Sequence, residues 1–157
     1  MAKERTVLDF EEGDFYEPVE FTVTPEFNQQ YCFGEEDYHP RYVTGVDGNP
    51  PLVHPGLLLN MTNYSKPADY RLPEDHTSLQ AGDETRFKGH AFVGDSFRVT
   101  YQRTKNFEKR GRNYFEHRMI LTNSKGEELM ERITLSTLFS RKWAEEKKAR
   151  DASKEAS

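Results

Sequence analysis

The chain has 157 residues with 22 Lys and Arg against 27 Asp and Glu, a formal net charge of −5 that fits one domain and disfavours a nucleic-acid partner. Apolar residues make up only 34% but aromatic ones 13%, so large rings must supply much of the core, which excludes pure disorder. No stretch approaches the roughly 18 apolar residues of a spanning helix, and Cys32 is alone, so a soluble cytoplasmic protein without disulfides or a membrane partner is expected.

Residues 1–18 hold most of a run of acidic side chains, with Phe10, Phe15 and Tyr16 among them, and read as a solvated arm pinned by its rings. Val19 to Val23 alternates apolar and polar residues, the signature of a half-buried strand. Thr24-Pro25 opens a helix, because Thr caps well and Pro suits the first helical position; the helix carries Phe27, Gln30, Tyr31 and Phe33 and stops at Gly34. Residues 35–51 are punctuated by Gly and Pro and predict a loop. Leu52 to Met61 is the most apolar segment and predicts a central buried helix of about three turns. Residues 65–76 read as a connecting loop.

Strands are predicted over 84–93, 96–102, 114–122 and 127–138, with Asn123-Ser-Lys-Gly126 as a hairpin turn. Arg86, Lys88, Arg98, Arg103 and Arg110–Arg112 fall in or beside those strands and are expected on the solvated face. Residues 141–157 form a charged tail, an exposed or frayed helix. A helix followed by a long antiparallel meander is an α+β pattern. His39, His54, His76, His90 and His117 are too scattered for a metal cluster, and no phosphate-binding glycine loop is present, so neither a metal nor a cofactor is expected.

Three segments carry a family likeness: Glu36-Asp-Tyr-His-Pro-Arg-Tyr42, Val53-His-Pro-Gly-Leu-Leu-Leu59, and Arg86-Phe-Lys-Gly-His-Ala-Phe-Val-Gly-Asp95. With these, the sequence resembles the MaoC-like acyl-CoA hydratase and dehydratase family over about residues 19 to 139. The resemblance implies a hot dog fold over 19–140, a curved antiparallel sheet wrapped around one central helix. It also implies a carboxylate and an imidazole that hold one water for addition across the 2,3 double bond of an acyl-CoA thioester. Coenzyme A or an acyl carrier would enter only as part of the substrate.

Laid onto the family pattern, Asp37 takes the place of the catalytic aspartate, and Tyr42 stands where the family has its histidine. His39 occupies the asparagine position. Asp37 is thus either the water-positioning carboxylate or a turn cap, and His39 either a substitute base or a polar loop residue. Tyr42 either donates a hydrogen bond to the thioester or fills the site of the lost histidine. His54 ties the loop to the central helix beside the substrate. Pro55 replaces the family's glycine and has no N–H, so either Gly56 meets the thioester oxygen of a shifted substrate or the oxyanion site is gone. Tyr64 and Tyr70 could line an acyl tunnel, and Cys32 reads as a small buried hydrophobe.

Two functions follow from the resemblance. One is a hydro-lyase acting on enoyl-CoA or 3-hydroxyacyl-CoA. The other is a catalytically degenerate hot dog subunit that binds acyl thioesters and pairs with an active partner. Thioester hydrolysis is a weaker third. Each leading reading implies a homodimer or a heteromer with another hot dog subunit, since one unit leaves sheet edges exposed.

Overall fold

A computed structural model describes residues 4 to 156, the side chain of Tyr64 excepted. The elements run β1 (Val19–Thr22), α1 (Pro25–Gly34), α2 (Pro40–Val43), α3 (Pro55–Tyr64), β2 (His76–Phe87), β3 (Ser96–Lys109), β4 (Arg112–Thr122), β5 (Glu128–Ser140) and α4 (Arg141–Glu155). The five strands form one antiparallel sheet in the order β1-β3-β4-β5-β2.

Period-two burial in the long strands builds the inner face. Phe97, Val99 and Tyr101 of β3, Met119 and Leu121 of β4 and Met130 of β5 are buried against Leu57 and Leu58 of α3. The helix is fixed at its C-terminal end by two sheet side chains. The Tyr101 hydroxyl donates to the Thr62 and Ser65 carbonyls, each at 3.1 Å. Arg132 donates to the Leu59 carbonyl at 2.8 Å and to Thr62 Oγ1 at 2.7 Å, while Asp83 neutralises its guanidinium. The Tyr101 bonds satisfy carbonyls that a helix end would otherwise leave orphaned, and Arg132 puts a cation where the helix dipole favours one.

The strand predicted over 84–93 lies elsewhere: β2 begins at His76, inside the predicted loop, and ends at Phe87. Its residues are exposed or half-buried throughout, since β2 pairs only with β5 and forms the sheet edge, so no apolar alternation marked it. Residues 88–95 turn away, and Leu52 bridges to Phe92 there. β3 and β4 run longer than expected and meet in a two-residue turn, Arg110-Gly111, with positive φ at both positions.

Arg103 is a second correction. It belongs to the inner face and is fully buried. Among the described residues no carboxylate is in ion-pair contact with it. Its guanidinium donates to the Val7 carbonyl at 2.8 Å, to Asn106 Oδ1 at 2.8 Å, to the Tyr16 hydroxyl at 2.6 Å and to His117 Nε2 at 3.2 Å. The N-terminal arm is pinned to the sheet through its rings Phe10 and Tyr16, while Phe15 and most of its acidic side chains stay exposed. Val7, Phe10 and Tyr16 are buried, and residues 13–16 extend the edge beside β3 through Gly13 N–H to the Arg103 carbonyl and Tyr16 N–H to the Tyr101 carbonyl. The tail forms α4, capped by Ser140, whose hydroxyl accepts from Trp143 N–H at 3.1 Å.

Candidate active site

α1 starts as its sequence dictates, with the Thr24 hydroxyl accepting from Phe27 N–H at 3.2 Å and Pro25 at the first helical position. Its buried face holds Asn28 and Cys32, one turn apart, with Cys32 inside as expected, whereas Phe27 and Phe33 are exposed. Asn28 is the bracket of the site. Its Nδ2 donates to the carbonyls of Tyr42 at 2.8 Å and Leu52 at 3.2 Å, and its Oδ1 accepts from His54 N–H at 2.9 Å. One buried amide thus fixes the two loops that carry the predicted residues relative to each other.

The chain leaves α1 through Glu36, at φ +56°, and Asp37 N–H donates back to the Cys32 carbonyl at 2.9 Å. Asp37 Oδ1 accepts from His39 N–H at 3.1 Å and Oδ2 receives His54 Nε2 at 3.0 Å. The His39 amide, and next the His54 ring, hold this carboxyl below the ordinary carboxylate range, so it is ionised at neutral pH. Its side chain stays 37% exposed, which leaves oxygen lone pairs open to a water.

His54 caps α3. Its Nδ1 accepts from Gly56 N–H at 3.0 Å. A ring nitrogen that accepts carries no proton, so the neutral imidazole has its hydrogen on Nε2 and gives it to Asp37. Both nitrogens are therefore engaged. The start of α3 is equally committed: Pro55 has no N–H, Gly56 N–H is held by the His54 ring, and Leu57 N–H donates to the His54 carbonyl at 3.0 Å.

Of the predicted residues, Asp37, Tyr42, His54 and Gly56 come together. The Tyr42 ring lies 4.8 Å from that of His54 by centroid. His39 reaches Asp37 through its backbone N–H: its own Nδ1 caps α2 by accepting from Arg41 N–H at 3.2 Å, its ring stands edge-on to Tyr42 at 6.1 Å by centroid, and the ring makes no hydrogen bond to Asp37. Tyr42 and Pro55 also line a cleft of about 460 Å³ whose apolar walls include Val53, Leu58, Phe87 and Ala91. Asp37 and His54 stand beside that cleft rather than in its wall. A larger hollow of about 540 Å³ at the β1 edge contains none of the predicted residues.

Tyr70 is remote, packed on Tyr16 and His117 at centroid distances of 5.6 and 5.9 Å, and the Tyr64 side chain lies outside the described residues. Arg86 and Arg98 form exposed ion pairs with Glu84 and Glu20. Cys32 is buried, and burial raises its thiol pKa. Two site residues escaped the sequence reading, Asn28 and Tyr31. The ring of Tyr31 lies 5.1 Å from that of His54. A polar residue one turn before Cys32 was the only hint of the first; nothing distinguished the second. No group of three or more His, Cys, Asp or Glu suited to a metal exists among the described residues.

No protein-family model matches the chain, and no curated protein matches it. Solved structures do. An (R)-hydratase from A. caviae involved in PHA biosynthesis is 15% identical, with a TM-score of 0.66 over 81% of this chain and 96% of the other. A MaoC-like dehydratase from Rhodospirillum rubrum is 16% identical, with a TM-score of 0.67 over 86% and 97%. The HadBC (3R-hydroxyacyl-ACP dehydratase) complex from Mycobacterium tuberculosis is 18% identical, with a TM-score of 0.63 over 80% and 96%. The chain has the hot dog fold.

Proposed function

We propose that the chain is a MaoC-like hydratase or dehydratase acting on the 2,3 double bond of an acyl-CoA thioester. The observation that carries this reading is the Asp37–His54 pair, held at 3.0 Å beside the first turn of the central helix, with the Asp37 side chain 37% exposed. The fold neighbours, among them hydratases and dehydratases, support the same chemistry.

In this reading Asp37, ionised and bonded by His39 N–H and His54 Nε2–H, uses its remaining lone pairs to hold the water. It takes the water's proton as the oxygen bonds to the β-carbon, and returns that proton to the α-carbon. His54 orients the carboxylate and stabilises its charge. It fills the place for which His39 and Tyr42 were considered. Tyr42 packs beside it with its ring tilted by 49° and lines the cleft. The acyl group lies in the apolar cleft, and coenzyme A or an acyl carrier is needed only as part of the substrate.

The test is hydration of crotonyl-CoA by the purified protein, followed as loss of the enoyl thioester absorbance. Activity should be present in the wild type and fall at least about 100-fold in Asp37→Asn. An unchanged rate in that variant removes Asp37 from the mechanism.

A second reading has its own observation: no N–H in the first turn of α3 is free for a thioester oxygen. The chain would then be a degenerate subunit that pairs with an active hot dog partner. HadBC is a complex, and the outer edge of β2, with Leu79 and Phe87 exposed, suits strand pairing with another chain. Activity that arises only on mixing with a second hot dog subunit would select this reading; an active homodimer would exclude it.

A further inference from the structure

The charge that develops on a thioester oxygen during water addition must be met by a donor, and the helix backbone here has none to spare. Pro55 lacks an N–H and the Gly56 N–H is bound to His54 Nδ1 at 3.0 Å. A different donor stands at the same spot. The hydroxyl of Tyr31, on α1, lies against Gly56: a Cβ built on Gly56 would collide with the Tyr31 oxygen and would sit 3.1 Å from His54 Nδ1. Glycine at position 56 is what allows this approach.

Three further observations bear on the hydroxyl. It makes no hydrogen bond to another described residue, although the hydroxyls of Tyr16 and Tyr101 are both bonded. Its ring is packed partly into the core, so its position is fixed. It borders the Nδ1 edge of the His54 imidazole, while Asp37 binds the Nε2 edge at 3.0 Å. Carboxylate and phenol therefore flank one imidazole.

We propose that Tyr31 is the oxyanion donor of this site, replacing the backbone N–H that Pro55 and His54 withdraw. The assignment rests on the thioester reading above and adds a catalytic residue to it. As the water oxygen bonds to the β-carbon and Asp37 takes the proton, the π pair moves toward the carbonyl and collects on the thioester oxygen. The Tyr31 O–H donates a hydrogen bond to that oxygen and keeps its proton. The pair then returns to the α-carbon, which takes the proton from Asp37, so atoms and charge balance. The partner of Gly56 is thus chemical as well as steric.

The experiment compares the wild type with Tyr31→Phe, which removes one oxygen and leaves the ring. Crotonyl-CoA labelled with ¹³C at the thioester carbonyl is bound to each, and the carbonyl stretch is read by infrared difference spectroscopy beside steady-state kinetics. The wild type should lower the stretch frequency, and Tyr31→Phe should return it toward the solution value with affinity nearly kept. kcat should fall about 100-fold with KM little changed. Gly56→Ala, which displaces the phenol, should reproduce the frequency change and serves if the first variant fails to fold. Equal frequencies and rates in wild type and Tyr31→Phe overturn the assignment alone. A wild type that binds no thioester overturns it together with the function proposed above, and the two failures are told apart by that binding.

Discussion

His117 should make this protein sensitive to acid in a way that one substitution removes. It is buried on β4 beside Arg103, its Nε2 receiving Arg103 Nε at 3.2 Å and lying 3.2 Å from the Tyr16 hydroxyl, with Tyr70 and Lys66 nearby. Burial first, then the charges of Arg103 and Lys66, push its pKa down to about 3. An unfolded histidine titrates near 6.5. Between these values the unfolded chain binds a proton that the folded one refuses, so stability rises with pH across the window and is lost as pH falls. From pH 7 to 4.5 the loss from this one group is about 2.5 kcal/mol. Urea unfolding followed by circular dichroism, at both pH values, should show it in the wild type and not in His117→Gln. The carboxylates titrate in both proteins, so the difference between their two losses isolates the imidazole. Equal losses, within about 0.5 kcal/mol, would refute the buried neutral histidine.

Asn28→Ala should strip partners from the Tyr42 and Leu52 carbonyls and the His54 N–H, costing about 3 kcal/mol and lowering Tm by about 8 °C in calorimetry. Asp83→Ala should cost about 3 kcal/mol in denaturant titration by leaving the Arg132 guanidinium unpaired, and adding Arg132→Met should recover part of it. Because the His39 amide and the His54 ring depress the Asp37 pKa, the acid limb of hydratase activity should lie below the ordinary carboxylate range at constant fold. An acid limb near pH 6.5 would give the base role to an imidazole instead. Light scattering should find a dimer or larger species, since the free β2 edge needs cover.

What the sequence revealed depended on how strongly one face of each element was buried. β3, β4 and β5 each alternate because one face meets α3 or the arm, and all three were placed. β2 has no such face, and its hydrogen bonds to β5 leave no trace in side-chain chemistry. Arg103 defeated the rule that arginines in strands point outward, because its charge is spread over the nearby Asn106 amide and over a carbonyl and a phenol contributed by residues far away in sequence. Within the site, Asp37 and His54 were named from motif positions, but their pairing was not, since it is made by the fold bringing two loops onto Asn28. Tyr31 was invisible for the same reason: a tyrosine in a helix shows its use only when the glycine beneath it is known.

The buried arm has a consequence for the order in which the protein is assembled. Tyr16 meets a histidine 101 positions later, and Val7 an arginine 96 positions later, so this segment is made well before the residues that seat it and is among the last to be fixed. Until β3 and β4 exist, Phe10 and Tyr16 have nowhere to go and remain greasy and exposed. Protease resistance within residues 7–16 would therefore mark a molecule whose sheet is already closed.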